Sequence, residues 1–476
     1  DSAAGSILDS GASGGPDIDA STAVLRAARG IGTGANALEM ALSQLEAAAG
    51  PGGLWLINTG ALEIGNVSAT PGLSTSTGAP IVVRALGGSI TVAESVSAGG
   101  SGNVLLTTDS AGIALNANVT SGTGHVSVLS SAAIDQNANI QTAGGTVDVH
   151  ASGGGIAMAN GSQTTSGGGS IRYHAAGGTT LGALMAGAGS ISVLSDNGSI
   201  EDAGGAAVDL AAAAALIRAG SAVGAELNPI EVALEAVAIE ADGDVHLAES
   251  NAISIDAVGP IATNRVQLDA STVVITDAGS GINAPTSWVS LTAGGAIGVV
   301  TSVTVAELDL RTTSGDVTLT GLVTASGNVS IDSAGAVVDG NGDALNLIAD
   351  GLVVAAINGI GSGDALETAI STFDATNQTS GNVELVNAGA LDLSRIINGG
   401  TGIIDLVNDG AVTVSGDVTG GGEIEFEVSG GIEIDAAITA QGDITLTANE
   451  TDPASYADTI ALTTNGSIRS LNVNIL

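Results

Sequence analysis

Across the segment 102–200, short runs of alternating apolar and polar residues recur at a near-constant interval. The first runs read GNVLLTT, GHVSVLS, GTVDVHA, GSIRYHA and GSISVLS. Their leading apolar residues, Val104, Val126, Val147, Ile171 and Ile191, stand 22, 21, 24 and 20 residues apart. A second series, Ile113, Ile134 and Ile156, is spaced 21 and 22, and a third, Val119 and Ile140, is spaced 21. Alternation such as Val126-Ser127-Val128 turns one set of side chains inward and the other outward, the two-residue period of a strand. The segments between are Gly, Ser, Asn and Thr, which make tight turns and accept positive φ. The runs are too short for an antiparallel sandwich, and Asn-Gly hairpin signals are sparse. Equivalent strands therefore stack in parallel, coil upon coil. The pattern predicts an all-β parallel β-helix, a β-solenoid, with three short strands in each rung of about 21 residues. It returns near the C-terminus, where Ile403, Ile424 and Ile444 are spaced 21 and 20. At about 4.8 Å per rung, about twenty rungs make a rod on the order of 100 Å long. The expected organisation is one continuous solenoid over residues 1–476.

A longer repeat overlies the short one. GSILDSG (5–11), GSIEDAG (198–204) and GAVVDGNG (335–342) resemble one another, so super-repeats start near 5, 198 and 335. Each leads into an Ala-rich apolar strand and then a helix-like signature: Asn36-Ala37-Leu38-Glu39, Asn228-Pro229-Ile230-Glu231 and Asp364-Ala365-Leu366-Glu367. A capping residue with Glu three places later is a capping box, and Pro229 occupies the favoured first helical position. These signatures predict three helical excursions, near 36–48, 228–238 and 364–374.

Composition strengthens the solenoid reading. Glycine accounts for 72 of 476 residues and aromatics for 1%, yet 44% of the chain is hydrophobic and its mean hydropathy is +0.43. The core is thus made of Ala, Val, Ile and Leu, thin and regular, as in a stacked repeat. Disordered chains are poor in such residues. Nine basic residues, all arginine, face 49 acidic ones, a net charge of -40. That balance excludes nucleic acid as a partner, since no cationic patch can form to neutralise phosphates, and an anionic membrane surface repels it. Diffuse Ca²⁺ binding by surface carboxylates is compatible with the charge; no cofactor is expected. Cysteine is absent, which removes disulfides, thiol chemistry and zinc–thiolate sites. The longest apolar stretch, Ala211 to Ile217, is far below the ~20 residues of a membrane helix, so no membrane insertion is expected. A chain that begins at Asp1, with a repeat already under way and an apolar strand (SIRSLNVNIL) at its end, reads as an internal section of a longer protein or as a subunit that stacks end to end.

Candidate chemistry is sparse. His150 and His174 fall at equivalent places in neighbouring rungs and read, with His125 and His246, as polar ladder positions rather than ligands. The segment Gly340-Asn341-Gly342-Asp343-Ala344-Leu345 resembles a Ca²⁺ nonapeptide, but no tandem copy follows, and a Gly/Asp turn accounts for it. Trp55, Trp288, Tyr173 and Tyr456 are isolated and read as packing residues. Recurrent turn asparagines (Asn116, Asn118, Asn137, Asn139, Asn160) suggest stacked amide ladders. Polysaccharide lyases and hydrolases also use β-helices. Here there is no lysine, the arginines are scattered, and no carboxylate pair is flanked by a sugar-stacking aromatic. No catalytic, cofactor-binding or metal residue is assigned, and an enzyme is not expected.

The G-x-(V/I)-x-(V/L) strands, the GSI-x-D-x-G starts and the GIGTG-NALE segment (30–39), echoed by GIGSGDALE (359–367), resemble the repeat region of filamentous-haemagglutinin-like exoproteins, the large β-strand-repeat bacterial surface adhesins. The resemblance implies a right-handed parallel β-helix, secreted to the bacterial cell surface, with a structural role as a rigid rod or fibre. Its partners are then itself, end to end, or the rest of a longer chain. An adhesin binding a glycan or host receptor along the rod is the alternative, and a polysaccharide-acting β-helix enzyme a distant third. Such proteins begin with a secretion domain, and no segment of this sequence matches one.

Overall fold

The computed structural model describes residues 1–11, 14–69, 72–76, 78–225, 227–249, 252–258, 265–270, 272–275, 281–448 and 459–476. They divide into two compact units, residues 1–248 and 249–476, each of which is a stack of parallel-stranded coils.

In the first unit the three predicted strand columns are all present. Val104, Val126, Val147 and Ile171 are successive partners in one column, and Ile113, Ile134 and Ile156 in a second. Val96, Val119 and Ile140 line up in the third. Burial alternates along most of the described strands: in Val104–Thr108 the side chains of Val104, Leu106 and Thr108 point inward, with Leu105 and Thr107 partly exposed. The core is thus largely a set of aliphatic ladders in which Val, Ile or Leu rests on the same residue class in the next rung, with polar partners at places such as Leu115–Gln136 and Ile140–Thr164. Small close-packed side chains suffice because the coil interior is narrow.

In the second unit the leading residue of the C-terminal series is Ile404 rather than Ile403. Ile404 pairs with Ile424, which pairs with Ile444. Gly402 then stands two residues before its isoleucine, as Gly422 and Gly442 do before theirs. Two adjacent isoleucines fit the spacing equally well, and the inward face selects the second.

The three helical excursions are not found; among the described residues there is no helix. Segment 36–48 contains strands Leu38–Ala41 and the start of Gln44–Ala49, 228–238 runs from residue 230 onward in strand Ile230–Ala241, and 364–374 contains Leu366–Ala369 and the start of Thr372–Asn377. The buried residues explain the misreading. They are Leu38, Met40, Leu42, Leu45, Ala47 and Ala49 in the first segment, where Glu46 is buried as well, and Ile230, Val232, Leu234, Val237, Ile239 and Ala241 in the second. In the third they are Leu366, Thr368, Ile370, Phe373, Ala375 and Asn377. Each is a two-residue alternation broken once by a three-residue step at a bend. That step places buried residues at i, i+4, i+7 and i+11, the periodicity of an amphipathic helix. The strand prevails because its backbone pairs with neighbouring coils: 38–41 with 18–19 and 56–58, 230–241 with 210–219, and 366–369 with 347–348 and 385–387. An isolated three-turn helix is marginal in water and would leave those coil edges unpaired.

Ion pairs and polar caps tie coil to coil. Arg84–Asp109 and Arg172–Asp148 are bidentate, at 2.6–2.9 Å, and Arg218–Asp196, Arg395–Asp374 and Arg311–Asp332 also join neighbouring coils. In several strands, Val126–Ser130 and Ile404–Asp409 among them, the last inward position carries a hydroxyl or an amide that satisfies carbonyls of the adjoining turns. Ser130 donates to the carbonyls of Ala111 and Ala133. Asn408 donates to those of Gly389 and Gly410.

Candidate functional site

The three segments that mimic capping boxes build three copies of one corner, where a coil closes over the one before it. Each begins with a bridge between neighbouring coils: Ile7 to Ile31, Ile200 to Val223 and Val337 to Ile360. The next residue is a glycine with φ near +60°: Gly32, Gly224 and Gly361. A Cβ at Gly224 would lie 2.4 Å from the His246 carbonyl oxygen, so only glycine lets the chain turn there. Two residues after the first member of each bridge comes an aspartate that folds back on its own backbone. Asp9 Oδ1 accepts from the Gly11 amide (2.7 Å), Asp202 Oδ1 from Gly204 (2.8 Å) and Asp339 Oδ1 from Asn341 (3.0 Å).

The apparent capping glutamates do other work. The backbone N–H of Glu39 donates to Asp17 Oδ2 (3.1 Å), that of Glu231 to Asp209 Oδ2 (3.0 Å) and that of Glu367 to Asn346 Oδ1 (2.8 Å). The apparent cap residues Asn36 and Asn228 use their amides to reach the carbonyls of Asp9 and Asp202. Each corner therefore gathers four side chains: Asp9, Asp17, Asn36 and Glu39; Asp202, Asp209, Asn228 and Glu231; Asp339, Asn346, Asp364 and Glu367. In the first two, one oxygen from each of the three acids lies within 4.8 Å of the others.

In the second and third corners some carboxylate oxygens lack the hydrogen bonds that buried carboxylates normally have. Asp202 Oδ2, Glu231 Oε2, Asp339 Oδ2 and Glu367 Oε2 are enclosed with no hydrogen-bond partner. Glu46, elsewhere in the first unit, is the contrast. It is fully buried, and burial pushes its pKa upward. The hydroxyl and amide of Ser68, the amide of Val67 at 2.7 Å and the charge of Arg26 outweigh that and hold it below the usual range. In the second corner the hydrogen bonds offset burial only in part. Burial, with the charges of Asp202 and Glu231 adding to it, pushes Asp209 up to about 8, and Glu231 is raised by burial and then by Asp202. In the third corner Glu367 is raised by burial and by Asp339.

The other candidates fall as follows. His150 and His174 are paired in register and their rings stack at 4.7 Å, 7° from parallel. His174 Nε2 lies 3.0 Å from Asp196, while burial and the neighbouring His174 and Arg172 lower the pKa of His150. His125 accepts the Thr146 amide through Nδ1, and His246 is buried in another column. None of these rings converges with another acid or imidazole to form a ligand set among the described residues. Segment 340–345 is a turn with Gly342 at φ 64°, and it follows directly on Asp339 of the third corner. Trp55 lies over Gly34 and donates to the Gly52 carbonyl, Trp288 sits in strand Gly281–Ala293, and Tyr456 lies outside the described residues.

The asparagines differ from expectation in chemistry. Asn137 donates to Asn116 as an amide ladder should, but Asn118 and Asn139 accept backbone N–H groups of the next coil, from Asn139 and Gln163. The buried amide ladders lie instead in the second unit, Asn377 to Asn398 (2.9 Å) and Asn387 to Asn408 (2.8 Å). Their signal was present in the sequence as apolar-Asn-x-Gly after a strand: VNAG, INGG and VNDG.

No protein-family model, curated protein or solved structure matches this chain.

Proposed function

We propose that this chain is a structural extracellular protein of the bacterial cell surface, a β-solenoid serving as a rigid rod or fibre within a filamentous-haemagglutinin-like exoprotein. The observation that carries this reading is the register. Within each unit, strand follows strand in parallel pairing, with runs of like residues stacked in register, as in Val104–Val126–Val147–Ile171 and Ile404–Ile424–Ile444. Such a stack resists bending because every coil is hydrogen-bonded to the next along all its faces. Arginine–aspartate pairs and inward amides add ties in the same direction. The outward positions are rich in acids, which keeps neighbouring rods apart and in solution. Its partners on this reading are copies of itself, end to end, or further repeats of a longer chain.

Electron microscopy of native material labelled with antibody to this chain tests the proposal. Labelled fibres on the surface of intact cells, with a repeat near about 4.8 Å along the axis, are the expected result. Compact particles, or label confined to the cell interior, would overturn it.

A further inference from the structure

The three corners are independent solutions of one design. Each holds three carboxylates and one carboxamide, yet the amide is not always in the same place. In the first two corners it is Asn36 or Asn228, and the acids at the neighbouring position are Asp17 and Asp209. In the third corner the two have exchanged, with Asn346 where the others have aspartate and Asp364 where they have asparagine. Hydrogen bonding in the corner survives the exchange, since Asn346 still accepts the glutamate N–H as Asp17 and Asp209 do. What the exchange preserves is a set of oxygen donors with three negative charges.

The second observation is the state of those oxygens. Asp339 is 7% exposed, and its Oδ2 has no partner, although Oδ1 of the same group accepts from both Asn341 and Asn346. Asp202 Oδ2 and Glu231 Oε2 are enclosed and unpartnered in the second corner, as is Glu367 Oε2 in the third. Beside the second corner lies a cavity of about 190 Å³, lined in part by Glu201, Asp202 and Asn228. Ion pairs resolved for the arginines go elsewhere, to Asp109, Asp148, Asp196, Asp332 and Asp374. Like charges gathered out of water are strongly unfavourable without a counter-charge. Carboxylate and carboxamide oxygens in an irregular cradle suit a hard cation that takes about six to eight oxygens at flexible geometry, which is calcium rather than the strictly octahedral magnesium.

We propose that the second and third corners are calcium sites, in each of which one Ca²⁺ ion bridges adjacent coils through carboxylate oxygens; the first corner, where no acid oxygen is enclosed without a partner, is not included. The ion would tie the aspartate that opens the super-repeat to the glutamate on the following coil. The inference does not depend on where the protein is located or on whether it forms fibres.

Calcium titration of the whole chain by equilibrium dialysis, after chelator treatment and in about 0.15 M NaCl to screen the diffuse charge, tests it. The expected result is two saturable ions per chain, with magnesium displacing neither at equal concentration. Asp202→Asn/Glu231→Gln and Asp339→Asn/Glu367→Gln should each bind one ion fewer, while the exposed control Asp135→Asn keeps both. Binding that never saturates, or a stoichiometry unchanged in both double variants, would overturn the proposal. Should a variant fail to fold, the wild-type chain decides alone: its melting temperature should rise with CaCl₂ and not with MgCl₂ at matched ionic strength. Equal effects of the two salts would count against the sites.

Discussion

Tyr173 shows how a narrow aliphatic core accommodates a large polar side chain. Its ring is fully buried, and its hydroxyl closes a triangle with two residues from other strands. The hydroxyl donates to Gln136 Oε1 (2.6 Å), Gln136 Nε2 donates to Thr164 Oγ1 (3.1 Å), and Thr164 completes the ring at 2.6 Å from the tyrosine oxygen. Every polar atom of the triangle is thereby used, and burial holds the phenol well above its ordinary pKa. Tyr173→Phe keeps the ring but strands Gln136 Oε1 without a donor. It should cost about 1–3 kcal/mol of stability, read by chemical denaturation, whereas an unchanged midpoint would mean that water replaces the hydroxyl. The same logic separates Glu46, whose oxygens are both satisfied, from Asp202, Glu231, Asp339 and Glu367, each of which keeps one enclosed oxygen without a partner.

At the scale of the strand, parallel in-register stacking places like with like, which favours isoleucine and penalises charge. Glu384, Asp405 and Glu425 are successive partners on the outward face of one column in the second unit. Burial comes first, then the charges of Glu425, Glu384 and Glu427, in raising the pKa of Asp405 above its ordinary 3.8. A carboxyl whose folded pKa is raised contributes its full stability below the unfolded value and loses it as pH climbs through the folded value. Asp405→Asn should therefore raise the melting temperature at pH 7, with the gain shrinking toward zero as pH falls below about 4. Thermal melts of wild type and variant at the two pH values check this, and a gain that persists at low pH would assign the effect to something other than charge. Elsewhere the same stacking is used to advantage: arginine is set beside aspartate on neighbouring coils, as in Arg172 and Asp148.

Over the whole molecule the imbalance of 49 acidic against 9 basic residues sets the response to salt. Exposed carboxylates repel across coils at distances that a low-salt solution does not screen. The screening length falls from about 30 Å at 0.01 M to about 8 Å at 0.15 M ionic strength. Stability should consequently rise with NaCl over that range. Melting in sodium salts alone isolates this general effect from any bound divalent ion. A flat response would mean that the cross-coil arginine pairs already offset the repulsion.

Much of this architecture was legible in the amino-acid order, because a solenoid repeats one local problem many times. The spacing of Val104, Val126 and Val147, and of Ile113, Ile134 and Ile156, determined the rung length, the parallel stacking and the inward face, since each strand's partner is its own equivalent one rung away. Where a local pattern satisfied two periodicities, only the tertiary structure decided. Ile230, Leu234, Val237 and Ala241 suit a helix as well as a bent strand, and it is the hydrogen-bonding edge of 210–219 that makes them a strand. The choice of Ile404 over Ile403 likewise belongs to its partner Ile424. The carboxylate corners were the least legible. Asp202, Asp209 and Glu231 are separated in sequence, and their names reveal neither their convergence nor the unpartnered oxygens of Asp202 and Glu231. Composition and period act through nearest neighbours along a coil, whereas a site is made by the closure of one coil upon the next, and that closure exists only in three dimensions.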